Sequence, residues 1–222
     1  MNSLFKAFKV SYSFRRELID QALAEFAAQF KGNILDLGGK KTNKRGTFAP
    51  PSHLSWTYLN LNPHEGVDVV ANGEALPMRS SAFDWVVCIE VLEFVQNPDQ
   101  LASEIYHVLK SGGRLFLTTP FLYRIHTRPH DRQRFTDQKL KELLFHFKIN
   151  IIKPQGYFFT VMADFMKSAV AQVRFVGLRY LVALLFLPII LLLRFIDQFQ
   201  CVRESDFFTS FTTGYFVIAE KK

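Results

Sequence analysis

Cysteine is scarce in this chain of 222 residues, which has two, and they form no CxxC pair. Cys88 lies within an apolar run typical of a core strand, and Cys201 lies far from it in sequence. The sequence therefore gives no sign of a disulfide framework or a cysteine-rich metal site. A reducing, cytoplasmic compartment is expected, and the sequence contains neither internal repeats nor low-complexity tracts.

The N-terminal residues lack a continuous apolar stretch, because Lys6, Lys9, Arg15 and Arg16 interrupt it. We therefore expect no signal-peptide core there. Acidic residues are also outnumbered, with 20 Asp and Glu against 27 Lys and Arg, which gives a net charge of +7. This excess favours an anionic partner such as a phosphate-bearing ligand, a nucleic acid or a membrane surface, and does not choose among them.

The stretch 33–39 is an apolar run that ends in a carboxylate and two glycines. Ile34, Leu35 and Leu37 suit a strand that is covered on both faces. Asp36 interrupts the run where the strand should end. In an open parallel sheet, ligands bind outside the carboxyl ends of the strands. The sequence therefore predicts a small-molecule site at this end of the first strand.

Strands and helices alternate along the rest of the chain. Helices are predicted from Phe14 to Gly32, from Asn97 to Ser111-Gly112-Gly113, and from Thr136 to Phe147, where Asn97 and Thr136 are the expected N-caps. Further strands are predicted at 56–61, 67–71, 83–89, 114–119 and 215–220. This alternation is typical of an α/β fold with a doubly wound, mostly parallel sheet.

Several motifs occur in an order that resembles the class I S-adenosylmethionine-dependent methyltransferases, within residues 30–150. The resemblance is strongest to a small bacterial group associated with polysaccharide and cell-envelope synthesis. It implies a seven-stranded Rossmann-like sheet with an apolar helical insertion before the last strand. The motifs are Ile34-Leu35-Asp36-Leu37-Gly38, Ala75-Leu76-Pro77, Phe83-Asp84, Glu90-Val91-Leu92-Glu93 and Val108-Leu109-Lys110-Ser111-Gly112-Gly113.

The resemblance also implies S-adenosylmethionine as the cofactor and assigns its binding residues. Asp36 would orient the methionyl end, and Glu90 would close the cavity. Asn60 stands where an acid usually takes the ribose hydroxyls, Asn72 where an acid usually meets the adenine amine, and Lys40 where a further glycine is common. The cofactor-binding residues are therefore expected to be Asp36, Gly38, Gly39, Asn60, Asn72, Gly73 and Glu90.

The segment 120–136 follows the fifth strand and resembles the acceptor side of the same group. A hydroxyl acceptor needs a base, so His126 is the first candidate, His130 the second, and Tyr123 a positioning group. The alternative is that His126 and Asp131 tie the loop down while Arg134 pairs with Asp131. Four arginines in the segment against one aspartate suit a phosphate on the acceptor. No metal site is predicted, because Pro129 interrupts any helix that would align the two histidines.

Fourteen residues without a charge, 180–193, lie between Arg179 and Arg194. A run of this length is typical of a buried helix or an interfacial segment rather than a full span. We predict helices over 160–200 that lie against a membrane face; the alternative is a helical subdomain or a dimer contact. The expected organisation is a methyltransferase core over 1–159, the apolar insertion over 160–200, and the last strand within 201–222.

The sequence thus predicts a methyltransferase that acts on a hydroxyl of an envelope glycan or its lipid-linked precursor. It would be cytoplasmic and peripherally bound to the inner face of the membrane. The alternative is a catalytically inactive, methyltransferase-like scaffold on the membrane. A nicotinamide-binding protein is disfavoured, because the paired glycines run into a basic, proline-containing loop rather than a helix. No nucleic-acid partner is expected, since the chain has no binding appendage or base-flipping motif. The oligomeric state is left open.

Overall fold

A computed structural model of the chain describes residues 13–41, 46–126 and 129–222. Residues 42–45 of the basic loop and Arg128 of the acceptor segment lie outside the described residues. The strands are β1 (Asn33–Leu37), β2 (Ser55–Asn60), β3 (Val69–Val70), β4 (Phe83–Ile89), β5 (Leu109–Pro120), β6 (Phe147–Pro154) and β7 (Gly214–Lys221). The α-helices are α1 (Phe14–Phe26), α2 (Pro98–Val108), α3 (Asp137–Leu143), α4 (Phe158–Ala171), α5 (Val176–Ile196), α6 (Gln200–Arg203) and α7 (Asp206–Thr209).

The seven strands form one sheet in the order β3-β2-β1-β4-β5-β7-β6. Strands β1 to β5 pair in parallel, whereas β7 runs antiparallel to β5 and β6. The strand order reverses between β1 and β4, and such a switch point opens a crevice at the carboxyl ends of the strands. The predicted doubly wound, mostly parallel seven-stranded fold is confirmed.

The helix starts follow from local side-chain caps. The Asn97 side chain accepts a hydrogen bond from the Gln100 backbone N–H at 3.1 Å, and Pro98 occupies the first helical position. The Thr136 hydroxyl accepts one from the Lys139 N–H at 3.1 Å. Both predicted N-caps are confirmed, and each satisfies an N–H that the first helical turn leaves without a partner.

Predicted boundaries were wrong at β5 and at the helices that precede and follow it. Helix α2 ends at Val108 rather than at the glycines, and β5 begins at Leu109. The Phe83–Leu109 pair is followed by Trp85–Arg114, so Ser111-Gly112-Gly113 forms an irregularity inside β5. Phe147 was predicted on a helix face but begins β6, where it pairs with Lys221. Long-range pairing with β7 decides the latter, and local periodicity cannot reveal it.

Hydrophobic residues cover both faces of the sheet. On one face, Leu35 and Val86 pack under α2 and α3 through Leu101 and Leu140. On the other face α1 packs on an aromatic cluster, in which the Phe30 ring meets Trp85 edge-on at 4.9 Å between centroids. A sheet sandwiched in this way has buried strand centres, so polar side chains collect at the strand ends.

Helices α4 to α7 lie between β6 and β7, where the apolar insertion was predicted. Helix α5 is 21 residues long. The most apolar stretch of 18 residues within it has a mean hydropathy of 2.5, but only 6% of that stretch is buried. By length and composition it is the one helix among the described residues that is able to cross a membrane. Its N-terminal half exposes large side chains, including Leu178, Leu181, Leu184 and Leu185.

Candidate active site at the strand switch point

A cleft of about 740 Å³ opens at the carboxyl ends of β1, β2 and β4. It lies at the switch point of the sheet, where ligands bind in this class of fold. The cleft brings together six of the ten predicted site residues: Gly38, Asn60, Asn72, Gly73, Glu90 and His130. The other four, which are Asp36, Gly39, Tyr123 and His126, are not among the residues that line it.

The glycine turn after β1 is shaped by close packing. Gly38 has a φ of 76°, and a Cβ there would lie 2.5 Å from Cγ2 of Val91, which follows β4. A Cβ on Gly39 would overlap the buried carboxylate of Asp36. Glycine is therefore required at both positions. Asp36 faces a separate cavity of about 90 Å³ on the α1 side of the sheet, so its role at the methionyl end stays a prediction.

Asn60 holds that glycine turn in place. Its Nδ2 donates hydrogen bonds to the backbone oxygens of Gly38 and Gly39, both at 3.1 Å. Its Oδ1 accepts from the Asn62 N–H at 3.1 Å. A carboxylate has no donor, so an acid at this position would not make the two bonds to the turn. The amide is thus matched to this particular loop, and it also lines the cleft.

The far end of the cleft carries an acid that the sequence analysis missed, Glu74. The Asn72 side chain accepts the Glu74 N–H at 3.1 Å and donates to Glu74 Oε2 at 3.1 Å. Hydrogen bonding from the Asn97 N–H is the main cause that lowers the pKa of Glu74. Glu74 therefore supplies a carboxylate beside Asn72. Its place two residues after Asn72, on the loop that follows β3, was a usable signal.

Glu90 is held by a buried arginine. The Arg15 Nε donates to Glu90 Oε2 at 2.7 Å, a second guanidinium nitrogen contacts Oε1, and the Thr118 hydroxyl donates at 3.0 Å. Gly214 makes room for Arg15, because a Cβ there would overlap the guanidinium. Glu90 itself has a φ of 53°, which turns the chain sharply after β4. Helix periodicity in α1 gave no hint that Arg15 points inward.

The acceptor segment is organised around Asp131. The Arg134 guanidinium binds both Asp131 oxygens, and these bonds are the main cause that lowers the Asp131 pKa to about 2. Asp131 Oδ2 accepts the His126 N–H at 2.9 Å and lies 3.1 Å from His126 Nδ1. The alternative in which His126 and Asp131 tie the loop down therefore matches these contacts. The Asp131 carboxylate holds the backbone of His126 and also lies beside the imidazole ring.

The remaining candidates of the acceptor segment surround His126 and the cleft. The rings of Tyr123 and Phe94 meet the imidazole edge-on, at 5.6 and 5.3 Å between centroids. His130 and Arg132 are exposed and line the cleft itself. Among the residues described, no group of three or more His, Cys, Asp or Glu is arranged to hold a metal ion.

Sequence comparisons place a methyltransferase domain in this chain. A family model described as "Methyltransferase domain" matches residues 52–117. An uncharacterized protein of Methanocaldococcus jannaschii is 32% identical over 94 residues, which are 39% of this chain and 44% of that protein. A ubiquinone biosynthesis O-methyltransferase of Serratia proteamaculans is 28% identical over 102 residues, 46% of this chain and 38% of the relative. The chain spans less than half the length of these curated relatives.

Solved structures share the fold over nearly the whole chain. The cyclase SpnF superposes with a TM-score of 0.59 at 18% identity, covering 91% of this chain and 80% of that one. A putative methyltransferase of Bacillus halodurans gives 0.55 at 17% identity, covering 91% and 98%. Identities this low establish the fold and leave the reaction to be argued from the site. The chain thus has the class I methyltransferase fold, and its residues 52–117 are similar to a methyltransferase domain.

Proposed function

We propose that this protein transfers the methyl group of S-adenosylmethionine to a hydroxyl group. The observation that carries the proposal is the switch-point cleft, which combines the glycine turn, Asn60, Asn72 and Glu90 inside a methyltransferase fold. The methyltransferase domain match over residues 52–117 supports it, as does the named activity of the O-methyltransferase relative.

The residues in the cleft fit the chemical groups of this cofactor. The methionyl end carries an amine and a carboxylate, which suit the Glu90 carboxylate and the exposed Arg132 guanidinium, with the His130 imidazole as a further hydrogen-bonding group. Gly38 allows close backbone approach, and Asn60, Asn72 and Glu74 offer oxygen acceptors for hydroxyl and amine groups. When bound, the cofactor supplies an electrophilic methyl group. The protein's own contribution is to align the acceptor and to take its proton.

The proposed acceptor is a hydroxyl of an envelope glycan or of its lipid-linked precursor. Arg124 and Arg132 lie in the acceptor segment with exposed side chains, and arginine binds phosphate in a bidentate manner. The segment also adjoins an apolar region, because Phe121 and Leu122 donate backbone hydrogen bonds to Thr213 and Thr212, just after α7. Phe158 and Phe207 pack there with ring centroids 6.0 Å apart. An amphiphile with an anionic head and an apolar tail fits these two neighbouring surfaces.

The apolar helix α5 supports a peripheral position on the inner face of the membrane. Most of its large side chains are exposed, and Phe175 at its N-terminal end is 77% exposed. Its C-terminal end is tied to the core, since Arg194 pairs with Glu17 of α1 at 2.7 Å. A helix held in this way suits an interfacial position, with its apolar face in the headgroup region, better than a free span.

Titration calorimetry with S-adenosylmethionine and its demethylated product tests the cofactor proposal. We expect saturable binding to the wild-type protein and binding about tenfold weaker, or lost, in Gly38→Ala, because its Cβ would press on Val91. Gly112→Ala is the matched control: its φ of 70° is also positive, but its Cβ would meet nothing within 4 Å.

Two results would contradict the cofactor proposal. Equal loss of binding in both glycine variants would point to backbone strain rather than to the cleft. No binding by folded wild-type protein would favour the inactive scaffold.

A further inference from the structure

A buried acid, Glu93, lies behind the cleft and takes no part in the proposed cofactor site. Its side chain is 0% exposed, and no other residue in the described ranges donates a hydrogen bond to either carboxyl oxygen. Its backbone oxygen accepts the Arg132 N–H at 2.9 Å, which joins this loop to the acceptor segment. A buried carboxyl without a donor is costly unless it is neutral or has a chemical role.

The leading base candidate lies beside this acid. His126 Nε2 lies 3.9 Å from Glu93 Oε1, while Nδ1 lies 3.1 Å from Asp131. The imidazole therefore stands between two carboxyl groups. The Asp131 side chain is 1% exposed and that of His126 24%. Of the three side chains, that of His126 is the most exposed, so the imidazole is the group that exchanges protons with solvent most readily.

The two carboxyl groups have opposite electrostatic surroundings. Burial, followed by the negative charge of Glu90, raises the pKa of Glu93 to about 8, while Arg15 and Arg134 oppose the rise. The hydrogen bonds from Arg134 lower the pKa of Asp131 to about 2. Asp131 is thus an anion at neutral pH that holds the backbone of His126, whereas Glu93 changes its charge near pH 8. Paired acids with separated pKa values commonly divide the acid and base roles of a site.

We propose that Glu93 and His126 form a proton-linked pair, in which Glu93 is the positioning residue and its carboxylate stabilises the positive charge that His126 gains when it takes a proton. The pair's role in catalysis rests on the proposed function. As the acceptor oxygen gains the methyl group, its O–H bond breaks and the proton passes to Nε2 of His126, which becomes a cation beside Glu93. The charge on the imidazole and the charge on Glu93 therefore depend on each other, and the proton later leaves His126 to solvent.

Titration of His126 by NMR tests the pair without cofactor or acceptor. In histidine-labelled protein, with the signal assigned from His126→Asn, we expect two inflections, one for the imidazole and one near pH 8 as Glu93 loses its proton. Glu93→Gln keeps the shape of the side chain and should remove the second inflection. Glu25→Gln, which changes an exposed carboxylate on α1, should leave both inflections in place.

One NMR result would contradict the proposed pair. A single His126 inflection, identical in wild type and Glu93→Gln, would overturn the pair. Circular dichroism of Glu93→Gln confirms that the variant is folded, and cofactor titration of the same variant should be unchanged. Because the NMR experiment contains no cofactor, a failure of methyl transfer would leave a positive NMR result standing. Conversely, intact cofactor binding would not rescue the pair if the second inflection were absent.

Discussion

At the scale of single residues, the site depends on side chains that hold loops as much as on side chains that face the cleft. Asn60 illustrates this, since both hydrogens of its amide are used on the glycine turn. The family resemblance assigns this position to ribose binding by an acid. In this chain the side chain at position 60 donates two hydrogen bonds that a carboxylate cannot make. Replacing Asn60 by an acid should therefore not improve ribose binding.

We predict that Asn60→Asp weakens cofactor binding. The substitution removes two hydrogen bonds, each worth about 0.5–1.5 kcal/mol, and sets a carboxylate against two carbonyl oxygens. Calorimetry should therefore show a dissociation constant raised by about tenfold. Asn62→Asp is the control, because Asn62 lines the same cleft and its oxygen serves as the acceptor for the His64 N–H. Tighter binding in Asn60→Asp would mean that the turn rearranges and that ribose contact decides the residue.

At the scale of secondary structure, the ends of elements are set by partners distant in sequence. Helix α4 begins at Phe158 without a cap from Tyr157. Instead Asp197, just after α5, accepts the N–H groups of Tyr157, Phe159 and Thr160 at 2.8, 3.1 and 3.1 Å. The C-terminal end of the apolar helix is thereby fixed to the start of the helix that packs against it.

We predict that Asp197→Ala destabilises the protein by about 1–3 kcal/mol, because it leaves buried N–H groups without an acceptor. Thermal unfolding should shift down by about 2–4 °C for each kcal/mol in a chain of this size. The control is Asp99→Ala, which removes an exposed aspartate from the first turn of α2 and should cost a few tenths of a kcal/mol. Equal shifts in the two variants would show that Asp197 is no more than a surface charge.

The same elements show what the sequence was able to predict. The strand at Phe83–Ile89 and the caps at Asn97 and Thr136 were located correctly, because apolar runs and N-caps are local signals. The glycine turn was recognised for the same reason. Three features could not be predicted, since each depends on a contact between segments far apart in the chain. They are the burial of Arg15, the capping of α4 by Asp197 and the burial of the Glu93 carboxyl.

At the scale of the whole molecule, side-chain contacts through the start of α1 link the apolar helix α5 to the cleft. The Arg194 guanidinium lies over the Phe14 ring at 4.4 Å and pairs with Glu17. Arg15, which follows Phe14 in α1, forms an ion pair with Glu90 at the cleft. The apolar helix is therefore anchored beside the residues that shape the proposed cofactor site. A membrane that accepts this helix would hold the acceptor segment close to membrane-bound amphiphiles.

We predict that the protein binds vesicles through α5 and prefers anionic lipid. In sedimentation assays, phosphatidylglycerol vesicles should bind more protein than phosphatidylcholine vesicles, because the chain carries a net charge of +7. The double variant Leu184→Glu/Leu185→Glu should bind at least about 100-fold more weakly, since two buried leucines together contribute about 3–6 kcal/mol. Phe145→Glu is the control, as Phe145 is 64% exposed but lies outside α5.

The competing occupant of this surface is a second copy of the chain, and ultracentrifugation of the same proteins separates the two cases. A membrane-docked protein should bind vesicles as a monomer, and its self-association should not depend on Leu184 and Leu185. If the wild type instead forms a dimer that the double variant abolishes, and neither protein binds vesicles, α5 is a subunit interface. The acceptor would then have to reach the cleft from solution. The proposals of membrane docking and of a lipid-linked substrate would both be wrong.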